Sequence, residues 1–206
     1  MGFFWVKSLS LPAKMVEVLF EHIGKKVSLS DAERLAVKDF FTPKSLRKRQ
    51  YLLQAGDSCK YLAFIAEGLL RTYNTDDKGN EHVSVFGWEG WWLSDFNSFL
   101  TGEPAIYNID AIEDAQLLLL SRADYEKLTL NVPIMDRYFR ILFQNSILTK
   151  ERRLTSSISH TAKEKYLEFI SSNPEVSQRI PQHLIASYLG IAPETISRIK
   201  KDLLKK

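Results

Sequence analysis

The residues between Lys44 and Ser121 alternate between short apolar runs and turn-forming residues, and this pattern limits the fold more than any other feature. Runs such as Tyr61–Ala66 are bounded by Gly and Asp, which interrupt regular structure. One break, Asp76–Asn80, has the composition of a hairpin turn. Six or more short strands at such close spacing predict a compact antiparallel barrel or double-sheet roll.

Helical patterns flank this β region on both sides. Before it, residues 12–42 carry apolar residues at helical spacing, and Ser30 and Glu33 have the spacing of a capping box. Pro43 is expected to end the second of these helices, and Arg122–Leu130 predicts a short helix after the β region. The predicted fold class is therefore α+β, an N-terminal antiparallel β-roll followed by helices.

A long helix is predicted to begin after Pro133, where apolar residues recur at intervals of three and four. The polar Asn145 lies on the same stripe, where it can fix the register between paired helices. The alternative is that this helix packs against the barrel of its own chain. The predicted dimer interface consists of Ile134, Tyr138, Ile141, Leu142, Asn145 and Leu148.

Residues 180–203 have the pattern of two short helices joined by a tight corner. Ala186 is small where a second helix must cross, and Gly190 can adopt the left-handed conformation that ends a helix. Pro193 begins the next helix at once. The combination predicts a helix-turn-helix, with an ordinary helical hairpin as the alternative. The inward positions are Leu184, Ile185, Leu189, Ile191, Ile196 and Ile199.

The second helix of such a motif fits the major groove of double-stranded DNA, with its N-terminal residues at the base edges. Arg198 can donate two hydrogen bonds to a guanine, and Glu194 can accept one from a cytosine amino group. Thr195, Lys200 and Lys201 are better placed for phosphates. The predicted DNA-binding residues are Glu194, Thr195, Ser197, Arg198, Lys200 and Lys201.

The charge of the chain is spread unevenly. Residues 150–206 hold 11 Lys and Arg against 6 Asp and Glu, whereas residues 1–149 hold 17 against 19. A basic C-terminal quarter on a slightly acidic body suits a module that binds a polyanion.

Several other classes of protein are disfavoured by the composition. A single cysteine, Cys59, excludes an internal disulfide and a cysteine-ligated cluster within one chain. The four histidines are scattered, and no catalytic triad or Gly-rich phosphate loop is present, so we expect no metal, no cofactor and no enzyme activity. No apolar run could span a bilayer, and residues 1–11 lack the order of a signal peptide. We therefore expect a cytoplasmic protein with no membrane partner.

Together these features resemble the Crp/Fnr superfamily of transcription regulators, over nearly the whole chain. Such regulators place a cyclic-nucleotide-binding-like β-roll before a dimerising helix and a C-terminal helix-turn-helix. The resemblance implies a β-roll domain at 12–130, a dimerisation helix at 131–157 and a DNA-binding domain at 158–206. The motifs that carry it are Gly56-Asp57, Glu67-Gly68, Arg71-Thr72-Tyr73, Asp77–Gly79, and Glu194, Thr195 and Arg198. In the family an arginine often precedes that glutamate; Pro193 stands there instead, so a different base preference is expected.

The chain departs from the family where the effector binds. Members that bind cyclic AMP carry a Gly-Glu pair and, about ten residues on, an Arg with a Ser or Thr, because a buried phosphate needs a cation and hydrogen-bond donors. The aligned residues here are Ser94-Asp95 and Ala105-Ile106. No cation is supplied, and no partner is expected for the charge of Asp95. The chain is therefore expected not to bind cyclic AMP or cyclic GMP by the usual route.

Aromatic residues, including Trp91 and Phe99, are expected to crowd this same region. They could line a pocket for an apolar effector or fill the cavity, and filling is favoured because aromatic clusters usually form core. The candidate residues of the effector pocket are Phe86, Trp88, Trp92, Ser94, Asp95, Phe96, Ala105 and Ile106.

These features predict a sequence-specific DNA-binding regulator that binds a palindromic site as a homodimer. The alternative is a ligand-sensing module whose helical tail contacts protein rather than DNA. RNA polymerase and a small-molecule effector are left open as further partners. Many family members continue into a β wing after the recognition helix, and this chain is expected to lack it or to be shortened.

Overall fold

The computed structural model describes residues 11–203 of the 206-residue chain, and residues 1–10, where no signal peptide is expected, lie outside the described part. In chain order the elements are α1 (Ala13–Gly24), α2 (Asp31–Lys38), β1 (Phe41–Leu46), β2 (Tyr51–Leu53), β3 (Tyr61–Glu67), β4 (Leu70–Thr75), β5 (Glu81–Gly87), β6 (Trp92–Leu93), α3 (Phe96–Thr101), β7 (Asn108–Ala111), β8 (Ala115–Ser121), α4 (Arg122–Asn131), α5 (Ile134–Ser159), α6 (Ala162–Ser172), α7 (Pro174–Arg179), α8 (Gln182–Leu189) and α9 (Pro193–Leu203).

Contacts group these elements into two compact units. Among the described residues, the first consists of residues 11–70 together with Gly87–Ile141, and the second consists of Arg71–Phe86 together with residues 142–203. Strands arranged in two sheets precede a helical C-terminal part, which confirms the predicted α+β class. The three-part division at 12–130, 131–157 and 158–206 stays a prediction.

The core of the first unit is built on a four-stranded sheet with the order β1-β8-β3-β6. β8 pairs antiparallel with both β1 and β3, and its leucines from Leu117 to Leu120 are all buried. A strand in the middle of a sheet that is covered on both faces is expected to be continuously apolar rather than alternating. In the same unit β2 pairs antiparallel with β7.

The N-terminal boundary between helix and strand differs from the prediction. α2 is capped by Ser30 and Glu33 as expected, but it ends at Lys38, and Pro43 lies inside β1 opposite Leu118. β1 is an edge strand, where the missing N–H of proline costs no ladder hydrogen bond. A turn at residues 47–50 then separates β1 from β2.

A buried polar contact joins α1 to the first turns of α5. Tyr138 is fully buried, and its hydroxyl accepts a hydrogen bond from Trp92 Nε1 (2.9 Å) and lies 2.7 Å from His22 Nδ1. Lys26 Nζ lies 3.0 Å from His22 Nε2. Because an ammonium can only donate, the proton of the neutral imidazole is placed on Nδ1, facing Tyr138.

The assignment of Tyr138 to the dimer interface is therefore wrong. Its side chain is 0% exposed and packs at the edge of Phe139 and near Trp92, within its own chain. The first turns of α5 follow the alternative in which the helix packs against its own barrel. The residue was misassigned because a helical stripe looks the same whether it faces its own chain or a second copy.

The second unit contains the strands β4 and β5, the remainder of α5, and the helices α6 to α9. α6 begins at a capping box formed by Thr161 and Glu164, and Asn173 precedes the short helix α7. Asn173 both ends α6 and precedes Pro174, the first residue of α7, a helix that was not predicted.

We predict that the free energy of unfolding falls as the pH is lowered from about 6.5 toward 4. Burial, together with the charges of Lys26 and Lys25, lowers the pKa of His22 to about 4. Because the unfolded chain binds this proton more readily in that window, protons favour unfolding there. Denaturant titrations across this range measure the slope of stability against pH.

The slope is expected to be shallower in His22→Gln than in the original chain. His183→Gln, which changes an exposed histidine of α8, is the matched control and should leave the slope unchanged. Equal slopes for the original chain and His22→Gln would contradict the assignment to His22.

Candidate nucleic-acid interface and effector region

A left-handed glycine forms the corner between α8 and α9. Gly190 has φ 66° and ψ 37°, and the N–H of the following Ile191 donates to the carbonyl of Ala186 (3.0 Å). This 6→1 hydrogen bond is that of a Schellman motif, which ends a helix in one turn. Ala186 itself is 1% exposed, as expected where two helices cross closely.

The helix α9 presents one apolar face to the unit and one polar face to solvent. Ile196 and Ile199 are buried, which confirms them as inward positions. The opposite face carries Glu194, Ser197, Arg198 and Lys201, and these four residues are exposed. The corner and the two isoleucines therefore hold these side chains outward on a rigid support.

The two remaining predicted DNA-binding residues lie at the sides of this face. Thr195 is half-buried, and its N–H donates to the carbonyl of Ala192 at the start of α9. Lys200 is exposed and lines a surface cavity of about 850 Å³ together with Gln178 and Gln182. Such flanking positions suit contacts to phosphates rather than to base edges.

The exposed apolar residues of α5 lie further along the helix than predicted. In its part from Leu142, large side chains are exposed at Ile147 (58%), Leu148 (49%), Leu154 (63%) and Ile158 (78%). Three of them, Ile147, Leu154 and Ile158, share one helical face at spacings of seven and four. Leu148 and Asn145 were predicted and are exposed, whereas Ile147, Leu154 and Ile158 were not predicted.

The aromatic residues expected to crowd one effector region are divided among several clusters. In the second unit Phe86 packs against Phe169 and Tyr188. In the first unit Trp92 packs against Phe64, whereas Trp88 contacts Trp91 with ring centroids 4.3 Å apart. Phe99 packs against Tyr125. Phe139 contacts both Trp92 and Tyr125, so Trp92 and Phe99 belong to one cluster. Phe86 packs with other rings, so the expectation of a single cluster is wrong for this residue.

The predicted effector-pocket residues differ widely in exposure. Asp95 and Ala105 are buried, Ser94 and Phe96 are partly exposed, and Ile106 is 62% exposed. A cavity of about 380 Å³ in the first unit is lined by Cys59, Tyr61, Leu93 and Ile109, among others, and by none of the eight predicted residues.

Asp95 has hydrogen-bond partners, contrary to the expectation from the sequence. Its Oδ1 accepts from the N–H of Ser98 (3.1 Å), which caps α3, and its Oδ2 accepts from the N–H of Ile106 (3.0 Å). The carboxylate is 3% exposed. Asp is a preferred N-cap residue, so the position of Asp95 directly before Phe96–Thr101 was a signal that could have predicted the first contact.

Within residues 11–203 no group of three or more His, Cys, Asp or Glu side chains could hold a metal ion. No helix there combines the length and the apolar character needed to cross a membrane.

Comparison with known proteins matches residues 43–131 to the family described as "Cyclic nucleotide-binding domain". The chain is 25% identical over 167 residues to the fumarate and nitrate reduction regulatory protein of Vibrio cholerae serotype O1, covering 76% of this chain and 66% of that protein. It is 22% identical to electron transport regulator A of Shewanella oneidensis, again over 76% of this chain and 66% of the relative.

Among solved structures the fold matches FixK2 from Bradyrhizobium japonicum with a TM-score of 0.71 and 20% identity, covering 80% of this chain and 85% of that one. The chain therefore spans slightly under two thirds of the length of the Vibrio cholerae and Shewanella oneidensis relatives.

Proposed function

Because the chain belongs to the Crp/Fnr family, we propose that it is a transcription regulator that binds double-stranded DNA through α9. The observation that carries this proposal is the exposed polar face of α9 held outward by the Gly190 corner. Such a helix fits the major groove, and its N-terminal half is the part that reaches base edges. The curated relatives are themselves named as regulatory proteins.

Within this face, Arg198 and Glu194 are proposed to contact bases. They are four residues apart, so both side chains project from the same side of the helix. Arg198 can donate two hydrogen bonds to a guanine, and Glu194 can accept one from a cytosine amino group. Thr195, Ser197, Lys200 and Lys201 are proposed to contact the phosphate backbone, which orients the helix without selecting a sequence.

The protein is proposed to act as a homodimer through α5. Ile147, Leu154 and Ile158 are more than half exposed and form one apolar face over three turns. A second copy of the same helix would bury this face, and a two-fold dimer would then present two α9 helices to a palindromic site. The proposed interface therefore lies nearer to the C-terminal end of α5 than the interface predicted from the sequence.

The effector pocket is proposed to be degenerate. At the positions where family members hold a cyclic phosphate, the carboxylate of Asp95 already occupies the N–H groups of Ser98 and Ile106. A phosphate brought to this place would meet a negative charge rather than a cation. Ala105 supplies no cation in compensation, so neither cyclic AMP nor cyclic GMP is expected to bind there.

We predict that Arg198→Ala reduces discrimination between the selected site and random DNA by about 1–3 kcal/mol. Lys201→Ala is expected to weaken binding to all sequences alike and to lower the salt dependence of the affinity, because it removes a phosphate contact. Binding sites are first selected from random duplexes with the purified protein, and affinities are then measured over a series of salt concentrations.

Lys127→Ala, which changes an exposed lysine of α4, is the control and should change neither quantity. Equal losses for Arg198→Ala on specific and random DNA would make that residue a phosphate contact instead. Salt-independent binding, or no binding to any duplex, would favour a tail that contacts protein.

We predict that Leu154→Glu shifts the protein from dimer toward monomer. A charge at the centre of a buried apolar face is left without a partner, which disfavours association. Sedimentation equilibrium gives the dimer dissociation constant. Thr149→Glu introduces the same charge at an exposed position on another side of α5 and should leave the dimer intact; an unchanged dimer in Leu154→Glu would contradict the proposed interface.

We predict that isothermal titration of the protein with cyclic AMP or cyclic GMP gives no saturable binding at micromolar concentrations. The physical reason is the Asp95 carboxylate at the place of the phosphate, in the absence of a neighbouring cation. A measured dissociation constant in the micromolar range for either nucleotide would contradict a degenerate pocket.

A further inference from the structure

The outer edge of β5 is covered by side chains of two helices of the same unit. Among the strands of residues 11–203, β5 is the last in the order of its sheet, so its outward backbone groups face no neighbouring strand. Ser187 Oγ of α8 donates to the carbonyl of Glu81 (2.7 Å) and accepts from the N–H of Val83 (3.0 Å). A single hydroxyl thus satisfies two consecutive groups of an edge that would otherwise face solvent.

Arg153 of α5 joins the same edge to the end of α8. Its Nη2 donates to the carbonyl of Val83 (3.2 Å) and to the carbonyl of Tyr188 (2.9 Å). The guanidinium also lies over the ring of Tyr188, with its carbon 4.0 Å from the ring centroid. The carbonyl of Tyr188 lies in the last turn of α8. Carbonyl groups in the last turn of a helix have no N–H partner within the helix and interact favourably with a cation.

Aromatic packing lies beside these polar contacts. Phe86 of β5 is 3% exposed, and its ring centroid is 5.1 Å from that of Tyr188 and 6.2 Å from that of Phe169. Apolar packing of this kind is non-directional, so it stabilises the unit without selecting one orientation of α8. The hydrogen bonds of Ser187 and Arg153 are directional and define that orientation.

We propose that Ser187 and Arg153 are positioning residues that select the half-site spacing of the DNA site. They fix α8 to both β5 and α5, and α9 follows α8 through the rigid Gly190 corner. This inference rests on the proposed function: in a dimer formed through α5, the angle between α5 and α8 sets the distance between the two α9 helices. A palindrome is bound tightly only when that distance matches its half-sites, about 34 Å apart for one turn of DNA.

The hydrogen bonds between the end of α5 and α6 do not orient α8. Lys165 Nζ donates to the carbonyl of Ser157 (2.8 Å), and His160 lies 3.2 Å from Glu168. Both contacts hold α6 beside the end of α5, and both are exposed to solvent. Neither reaches α8, so α8 gains its directional hold on α5 and β5 from Arg153 and Ser187.

The test compares duplexes that carry the same two half-sites with spacers changed by one or two base pairs. The full-length double variant Ser187→Ala, Arg153→Leu is expected to lose about tenfold in affinity for the best spacing, because four directional hydrogen bonds are removed. Its affinity for a single half-site should equal that of the original chain. The spacing preference should therefore flatten in the variant.

The matched control is Ser171→Ala, Arg152→Leu, which removes an exposed serine of α6 and the exposed neighbour of Arg153. It should keep the original spacing preference. An unchanged preference in the Ser187, Arg153 variant would overturn the proposal. Tighter binding by that variant would also overturn it, since the contacts would then oppose the DNA-bound arrangement.

A readout without DNA separates this proposal from the proposed function. Hydrogen exchange at the Val83 amide should be slow in the original chain and the control and faster in Ser187→Ala. Fast exchange in the original chain would overturn the positioning role. The protein could also show slow exchange that becomes faster in Ser187→Ala and yet bind no duplex at any spacing. That result would refute the proposed DNA binding, although the contact of Ser187 with β5 would be retained.

Discussion

A polar group that leaves water must find a hydrogen-bond partner, and this requirement organises the parts of the chain that bear on function. The carboxylate of Asp95 finds two backbone N–H groups within its own loop. The outward groups of β5 find Ser187 and Arg153. In each case the chain supplies the partner itself, at a place where an external molecule or a further strand could otherwise have done so.

The sequence predicted those features that are local. The Ser30 capping box, the Gly190 corner and the inward Ile196 and Ile199 all follow from spacings of a few residues, and the structure has each of them. The outward face of α9 could be predicted for the same reason, because the positions opposite two buried isoleucines of a helix are determined by its period. The fold class and the outward placement of the polar side chains of α9 could thus be predicted from the sequence.

The features that could not be predicted depend on long-range pairing. Tyr138 contacts His22, which lies far away in the sequence, so no spacing distinguishes a stripe buried in its own chain from a dimer face. Pro43 was expected to end a helix, and only its place in an edge strand explains why it is tolerated in β1. The partners of Ser187 lie on a hairpin more than one hundred residues earlier, and no local pattern marks that serine.

Under the proposed function, the same fold keeps a helix that binds DNA while the control of that helix changes. A β-roll constrains the effector site through shape, but the affinity for a phosphate comes from a cation and free N–H groups. In the proposed degenerate pocket the Asp95 carboxylate takes these N–H groups, so the loop would gain no stability from an added anion. A ligand can shift a conformational equilibrium only through its different affinity for the two states, so such a loop gives a cyclic nucleotide no means of control. Under that proposal the orientation of α8 is set by contacts within the chain itself, and the Ser187 and Arg153 hydrogen bonds to β5 are contacts of that kind.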